Sequence, residues 1–208
     1  MEINFHNAIE LLTSFQAFLF AGYLLSSRKK KNTSNIFIAF YLFALGLNVS
    51  HEYVDYYFEP SFPNLSIVFK MIVFLMAPAL YLYTKTAIKA EFKLTRAEGW
   101  HLLPFFILNI LLIPDFYLEN FKENPVENEY HKLYTIALYI AFYLQAFIYL
   151  LITFRYLIHL KRIYYENFSN TDISKYKYLF TLNSLVAFVF LLSAVKNLEY
   201  YHRKKNHC

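Results

Sequence analysis

The chain has 208 residues, of which 58% are hydrophobic and 17% charged, with a formal net charge of +5; its mean hydropathy is +0.30. A soluble domain is about 45–50% apolar and about 25% charged, so this balance excludes an ordinary soluble globule, and 3 Gly, 6 Pro and 1 Cys exclude a disordered, collagenous or disulfide-built chain. Aromatics reach 21%: 23 Phe supply apolar surface, and 20 Tyr suit places where one end of a side chain is wet.

A helix that crosses a bilayer needs about 20 mainly apolar residues, because the hydrocarbon layer is roughly 30 Å thick and a helix rises about 1.5 Å per residue. Stretches poor in Asp, Glu, Lys and Arg predict six spans, over residues 8–27, 33–52, 65–84, 99–115, 133–155 and 178–196. A soluble core is the competing reading. It fails on number, since a chain this short cannot bury six helices that are apolar on every side. Between Leu133 and Phe154, for example, the polar side chains apart from tyrosines are Thr135, Gln145 and Thr153, with no stripe at helical spacing. The expected fold class is therefore all-α, a polytopic membrane helical bundle in one transmembrane domain over 1–208.

The loops set the expected orientation. Glu2 and Glu10 precede the first span and Arg28, Lys29, Lys30 and Lys31 follow it, the reverse of a signal peptide. That predicts an uncleaved first span with its N-terminus outside. Lys and Arg favour cytoplasmic loops. The second loop holds Glu52, Asp55 and Glu59, the third Lys85, Lys89, Lys93 and Arg96, the fourth mainly acids, and the fifth Arg155, Lys161, Arg162, Lys175 and Lys177. Loops one, three and five are expected inside an inner membrane. The tail with Lys196, Arg203, Lys204 and Lys205 breaks this alternation. A seventh span beyond this chain, an incomplete sixth crossing or simple tolerance would each account for it, and the first is preferred.

Within this frame Pro60 and Pro63 read as turn residues. Pro78 falls inside the third span, where it removes a backbone hydrogen bond and predicts a kink. Pro104 begins or bends the fourth. Ser169 or Thr171 is expected to cap the helix entering the sixth, and residues 156–168 to extend the fifth helix into the cytoplasm.

Few residues carry chemistry. His51 and Asp55 lie one helical turn apart and could hold a metal, but a solvated helix end flanked by Tyr53, Tyr56 and Tyr57 is the preferred reading. His202, His207 and Cys208 in the tail are weaker still. Lys70 sits about one turn inside the third span. Snorkelling to the headgroups is favoured over a ligand contact or an ion pair. Gln16, Asn48, Asn109, Gln145 and Asn183 read as hydrogen-bonding links between helices. No carboxylate lies deep in a span, which argues against a proton-coupled pump. There is no helix-turn-helix pattern, P-loop or Gly-x-Ser-x-Gly elbow, so no catalytic residue, cofactor or resident metal is expected, nor direct nucleic-acid binding by this chain.

One pattern is more specific. Met76-Ala-Pro-Ala-Leu-Tyr-Leu-Tyr-Thr-Lys-Thr86 contains a Pro-x-x-Tyr-x-Tyr-x-Lys run, and His101-Leu-Leu-Pro-Phe105 a His-x-x-Pro-Phe run. Together with Arg28–Asn35 and Tyr165–Asn170, these resemble the membrane-embedded N-terminal sensor region of the AraC-type (helix-turn-helix) transcriptional regulators of Bacteroidetes. The resemblance implies a seven-span sensor joined to a cytoplasmic DNA-binding domain. This chain departs from it in ending after the sixth segment, in carrying no such domain, and in having Ala77 where the family often has glycine. Pro78 as a flex point and Lys70 with the outer acidic loops as a ligand face, together with Tyr81, Tyr83 and His101 of the resembling runs, are the candidates for a ligand site or switch. The expected partners are membrane lipid, and the chain itself or another membrane or cytoplasmic protein. A small permease or channel-like protein and a structural membrane subunit are the alternatives to a sensor.

Overall fold

The computed structural model describes residues 5–26, 33–88, 95–113, 129–167 and 170–206. Every regular element among them is helical. In chain order these are α1 (Phe5–Ser26), α2 (Thr33–Val49), α3 (His51–Tyr53) and a π turn, Val54–Phe58. There follow α4 (Pro63–Met71), a 3-10 turn at Ile72–Leu75, α5 (Met76–Ile88) and a 3-10 stretch, Arg96–Leu102. Then come α6 (Leu103–Leu111), α7 (Glu129–Asn167) and α8 (Asn170–Asn206). Four helical runs are long and apolar enough to cross a membrane: Asn7–Ser26, Pro63–Ile88, Ile136–Lys161 and Ile173–Asn197, while Thr33–Val49 is apolar but shorter. These four runs overlap the first, third, fifth and sixth expected spans, with the fifth running on to Lys161 and the sixth starting at Ile173.

The second expected span is α2, which ends at Val49, and helical structure resumes at once beyond it and passes 52. Ser50 N–H donates to the Gly46 carbonyl, Val54 N–H to that of Ser50 and Glu59 N–H to that of Val54, each at 3.0 Å. After one turn residue, Ser50, the chain is helical again from His51 through Phe58, widening into the π turn. The fourth expected span, 99–115, begins differently from a plain α-helix. Pro104 has no N–H to offer the Trp100 carbonyl, and Leu103, three residues on, takes it instead. Hence the stretch before the proline is 3-10. The nine residues of α6 then rise about 14 Å, and residues 114–115 lie outside the described residues. Pro78 acts in the same way. Its missing N–H leaves the Phe74 carbonyl without its α-helical donor, and the turn just before it, Ile72–Leu75, is 3-10, with Met76 N–H on the Val73 carbonyl.

The chain falls into two compact units, 1–136 and 137–208. In the first, α2 packs against both α1 and α5. Small residues allow this: Ala17 and Ala21 of α1 and Ala39 and Ala44 of α2 are buried. Gly46 is the closest approach, since a Cβ there would stand 2.7 Å from the Phe18 ring, which is itself tilted against Phe43 at 5.6 Å. α5 is the core element, burying Met76, Ala77, Ala79, Leu80 and Leu82. Its buried Thr84 and Thr86 hydroxyls donate to the carbonyls of Leu80 and Leu82, at 3.0 and 2.8 Å, so neither is left unsatisfied.

In the second unit α7 and α8 form an antiparallel hairpin. Phe142 meets Phe190 at 5.7 Å and Phe154 meets Phe180 at 5.5 Å, so later residues of one helix face earlier residues of the other. Ala146, Thr153 and Leu157 of α7 and Tyr176, Leu179 and Asn183 of α8 are buried. Near one end Asn197 Nδ2 donates to the Tyr143 hydroxyl at 2.6 Å, and Ser193 Oγ lies 2.9 Å from the same oxygen. Large apolar side chains such as Ile140, Leu144 and Phe147 on α7 and Leu185, Phe188 and Leu191 on α8 are exposed. A bilayer accommodates such a surface; water would not.

Candidate functional site

The run Pro63–Ile88 carries two charges, Lys70 and Lys85, with no Asp, Glu, Lys or Arg between them. Their separation along the helix is about 22 Å, so they bracket an apolar stretch shorter than the hydrocarbon layer. Each lysine is held by acids from a different neighbouring segment.

At the first end Lys70 Nζ lies 3.0 Å from Asp55 Oδ1 and 2.9 Å from Glu59 Oε2. The extension of α2 through α3 and the π turn makes this possible, because it carries both acids back toward α4. The three side chains are 37%, 42% and 48% exposed, so each pair contributes only about 0–1 kcal/mol. Nearby, the Tyr53 hydroxyl donates to the Asn7 carbonyl at 2.8 Å and ties α3 to the start of α1. Asp55 is thus engaged by Lys70, while His51 Nδ1 lies 3.1 Å from the Asn48 carbonyl. Among the described residues, no three His, Cys, Asp or Glu side chains gather as a metal site would require. The tail candidates His202, His207 and Cys208 lie outside the described side chains.

At the second end Lys85 Nζ lies 3.0 Å from Glu98 Oε1, with the glutamate side chain only 7% exposed. Glu98 closes a capping box with Thr95: its Oε2 accepts from the Thr95 N–H at 3.1 Å and from the Thr95 hydroxyl. The Thr95 hydroxyl and then Lys85 hold the Glu98 carboxyl down to about 2, against a burial that pushes it up. The Tyr81 and His101 rings meet edge-on at 5.3 Å, and the Lys85 ammonium lies 5.9 Å from the Tyr81 ring centre. Helical spacing produces this cluster. Tyr81 and Lys85 share one face of α5 four residues apart, and Glu98 and His101 share one face of a 3-10 stretch three residues apart.

The two sequence runs singled out above therefore meet. Tyr81 and His101 come together, Pro78 lies buried one turn before Tyr81, and Lys70 stands at the opposite end of the run. Tyr83 is two residues round the helix from Tyr81 and faces elsewhere; its carbonyl accepts from the Thr86 hydroxyl at 3.1 Å. Sequence reasoning passed over Lys85, Thr95 and Glu98 as site residues. Thr95-Arg-Ala-Glu98 nevertheless spells a capping box, which was the available signal. Chemically, the cluster can fix two helical segments in one register and release them when a charge is lost. No family model, curated protein or solved structure matches the chain.

Proposed function

We propose that this chain is the membrane-embedded signal-sensing region of a bacterial transcriptional regulator of the AraC type. In this reading it crosses the inner membrane six times, with its N-terminus outside, and DNA binding lies beyond these 208 residues. One observation carries the reading: the Pro78–Lys85 and His101–Phe105 runs, on which the resemblance chiefly rests, meet at Tyr81–His101, and Lys85 pairs with Glu98 three residues ahead of the second run. A signal acts by binding one arrangement of this junction better than another and so shifting the population.

The test is a transcriptome comparison in the native host. Strains carrying the wild-type gene, its deletion, and Lys85→Ala or Glu98→Gln alleles at matched protein level are compared. A regulator's sensor predicts a defined set of transcripts altered by deletion, with the same set shifted by both alleles. A deletion that leaves the transcriptome unchanged overturns the proposal. Alkaline phosphatase fusions in each loop test the topology. Activity is expected in the second and fourth loops and not in the first, third or fifth.

A further inference from the structure

Trp100 is the chain's single tryptophan and is 71% exposed. Its neighbours set its depth. Glu98 is held to Lys85, and His101 lies against Tyr81. Tyr81 and Lys85 belong to the last two turns of the apolar run that ends at Ile88. Trp100 is therefore level with one end of that run, where hydrocarbon gives way to water. An indole, with an apolar body and one N–H donor, is best accommodated at that boundary.

The charge at this corner has a definite sign. Glu98 is buried and paired to Lys85. Arg96 is exposed and forms no ion pair among the described residues, so among them the charge turned outward here is positive. Beyond Trp100, Leu102 and Phe106 are exposed as well. A tryptophan flanked by an outward arginine and by exposed leucine and phenylalanine fits a leaflet of anionic lipid.

We propose that the Arg96–Phe106 corner is a lipid-binding anchor, with Trp100 seated at the boundary between acyl chains and headgroups and Arg96 on the phosphate of an anionic phospholipid. The anchor rests on the membrane reading above and pins the Lys85–Glu98 junction to the bilayer surface.

A single tryptophan makes the test direct. The purified full chain is reconstituted into phosphatidylcholine vesicles containing phosphatidylglycerol, and flotation establishes insertion. Tryptophan fluorescence is then quenched by lipids brominated high on the acyl chain or near its methyl end. The anchor predicts stronger quenching by the shallow bromines. Phosphatidylglycerol brominated at that shallow position should quench roughly twofold more than phosphatidylcholine at equal mole fraction, within the effect one basic residue supports near an anionic surface. Arg96→Gln should erase that difference while leaving the depth preference intact. Stronger quenching by the deep bromines, or none in floated protein, overturns the seating of Trp100. Equal quenching by the two headgroups overturns the lipid preference. Failure to float sinks the membrane reading instead, which keeps the two failures distinct.

Discussion

Lys85 holds Glu98 at 3.0 Å where the glutamate is almost fully covered, whereas Lys70 meets Asp55 and Glu59 where all three side chains are substantially exposed. One helical run thus carries a covered ion pair at one end and a wet one at the other. The Glu98 carboxyl is held at about 2, against an ordinary value of 4.5. A carboxyl depressed on folding stabilises the fold above its unfolded value and loses that contribution as pH falls through the folded one. Thermal unfolding in detergent should therefore show Tm falling between pH 4.5 and about 2, with a smaller fall in Glu98→Gln. Parallel Tm–pH curves for the two proteins would refute the assignment.

Salt should separate the two lysines. Lys70→Ala removes two exposed pairs and should cost about 1 kcal/mol at low ionic strength. Most of that should vanish near 1 M salt, where the Debye length is about 3 Å. Lys85→Ala strands a covered carboxylate, should cost about 1–3 kcal/mol, and should keep most of that cost in salt. Melting both variants in detergent at two salt concentrations decides the matter. Equal salt sensitivity would contradict the burial of Glu98.

How much of this was legible in the sequence follows from the range over which each feature is determined. Apolar runs are local, so α1, α2, Pro63–Ile88, α7 and α8 all fall where hydropathy places them. The interruption at 99–115 is also local, since Pro104 dictates which N–H reaches the Trp100 carbonyl, but hydropathy does not register a missing donor. The helical continuation past Val49 escapes for the opposite reason. Glu52 and Asp55 end an apolar run, yet helical structure continues through Phe58. Tyr81 and His101 stood out through their motifs. The pairing of Lys85 with Glu98 was hidden because it depends on how the chain folds back, although the Thr95–Glu98 box that positions the acid was written plainly. Lys70 is likewise a lysine with an aqueous option until the π turn returns two acids to it.

Pro78 offers a geometric prediction. With alanine there, an N–H becomes available to the Phe74 carbonyl and the 3-10 turn Ile72–Leu75 can close into α-helix. The rise per residue drops from about 2.0 to about 1.5 Å, so the run shortens by about 2 Å over that turn. Spin labels at Lys70→Cys and Lys85→Cys should report this in a pulsed dipolar measurement on Pro78→Ala. An unchanged distance would mean that packing, and not the proline, imposes the 3-10 turn.

Gly46 should tolerate little. A methyl there meets the Phe18 ring at 2.7 Å, and Phe43 lies against that ring. Overpacking costs about 1–3 kcal/mol, while replacing glycine by alanine in a helix returns at most about 1 kcal/mol. The net effect of Gly46→Ala should be destabilising, and Gly46→Val more so. Combining Gly46→Ala with Phe18→Leu should recover part of the loss in Tm. A Gly46→Ala protein at least as stable as wild type would show that the α1–α2 contact is looser than these distances imply.

The hairpin provides the sharpest contrast between protein and lipid as surroundings. Leu157 is 0% exposed, and its neighbour Ile158 is 60% exposed. Leu157→Ala leaves a cavity among packed side chains and should cost about 2–5 kcal/mol. The apolar run Ile136–Lys161 continues past the expected end of the fifth span at 155 and includes Ile158, so Ile158→Ala removes methylenes from a surface that lipid or detergent fills again, and surface substitutions of this kind usually stay within about 0.5 kcal/mol. Both residues lie on the same turn of α7, so helix propensity and depth are nearly matched and burial is what differs. Melting in detergent should place Leu157→Ala well below wild type and Ile158→Ala close to it. Comparable losses for both would mean that the face carrying Ile158 is covered by protein in the membrane, and that α7 contacts a partner on the side where this structure shows it bare.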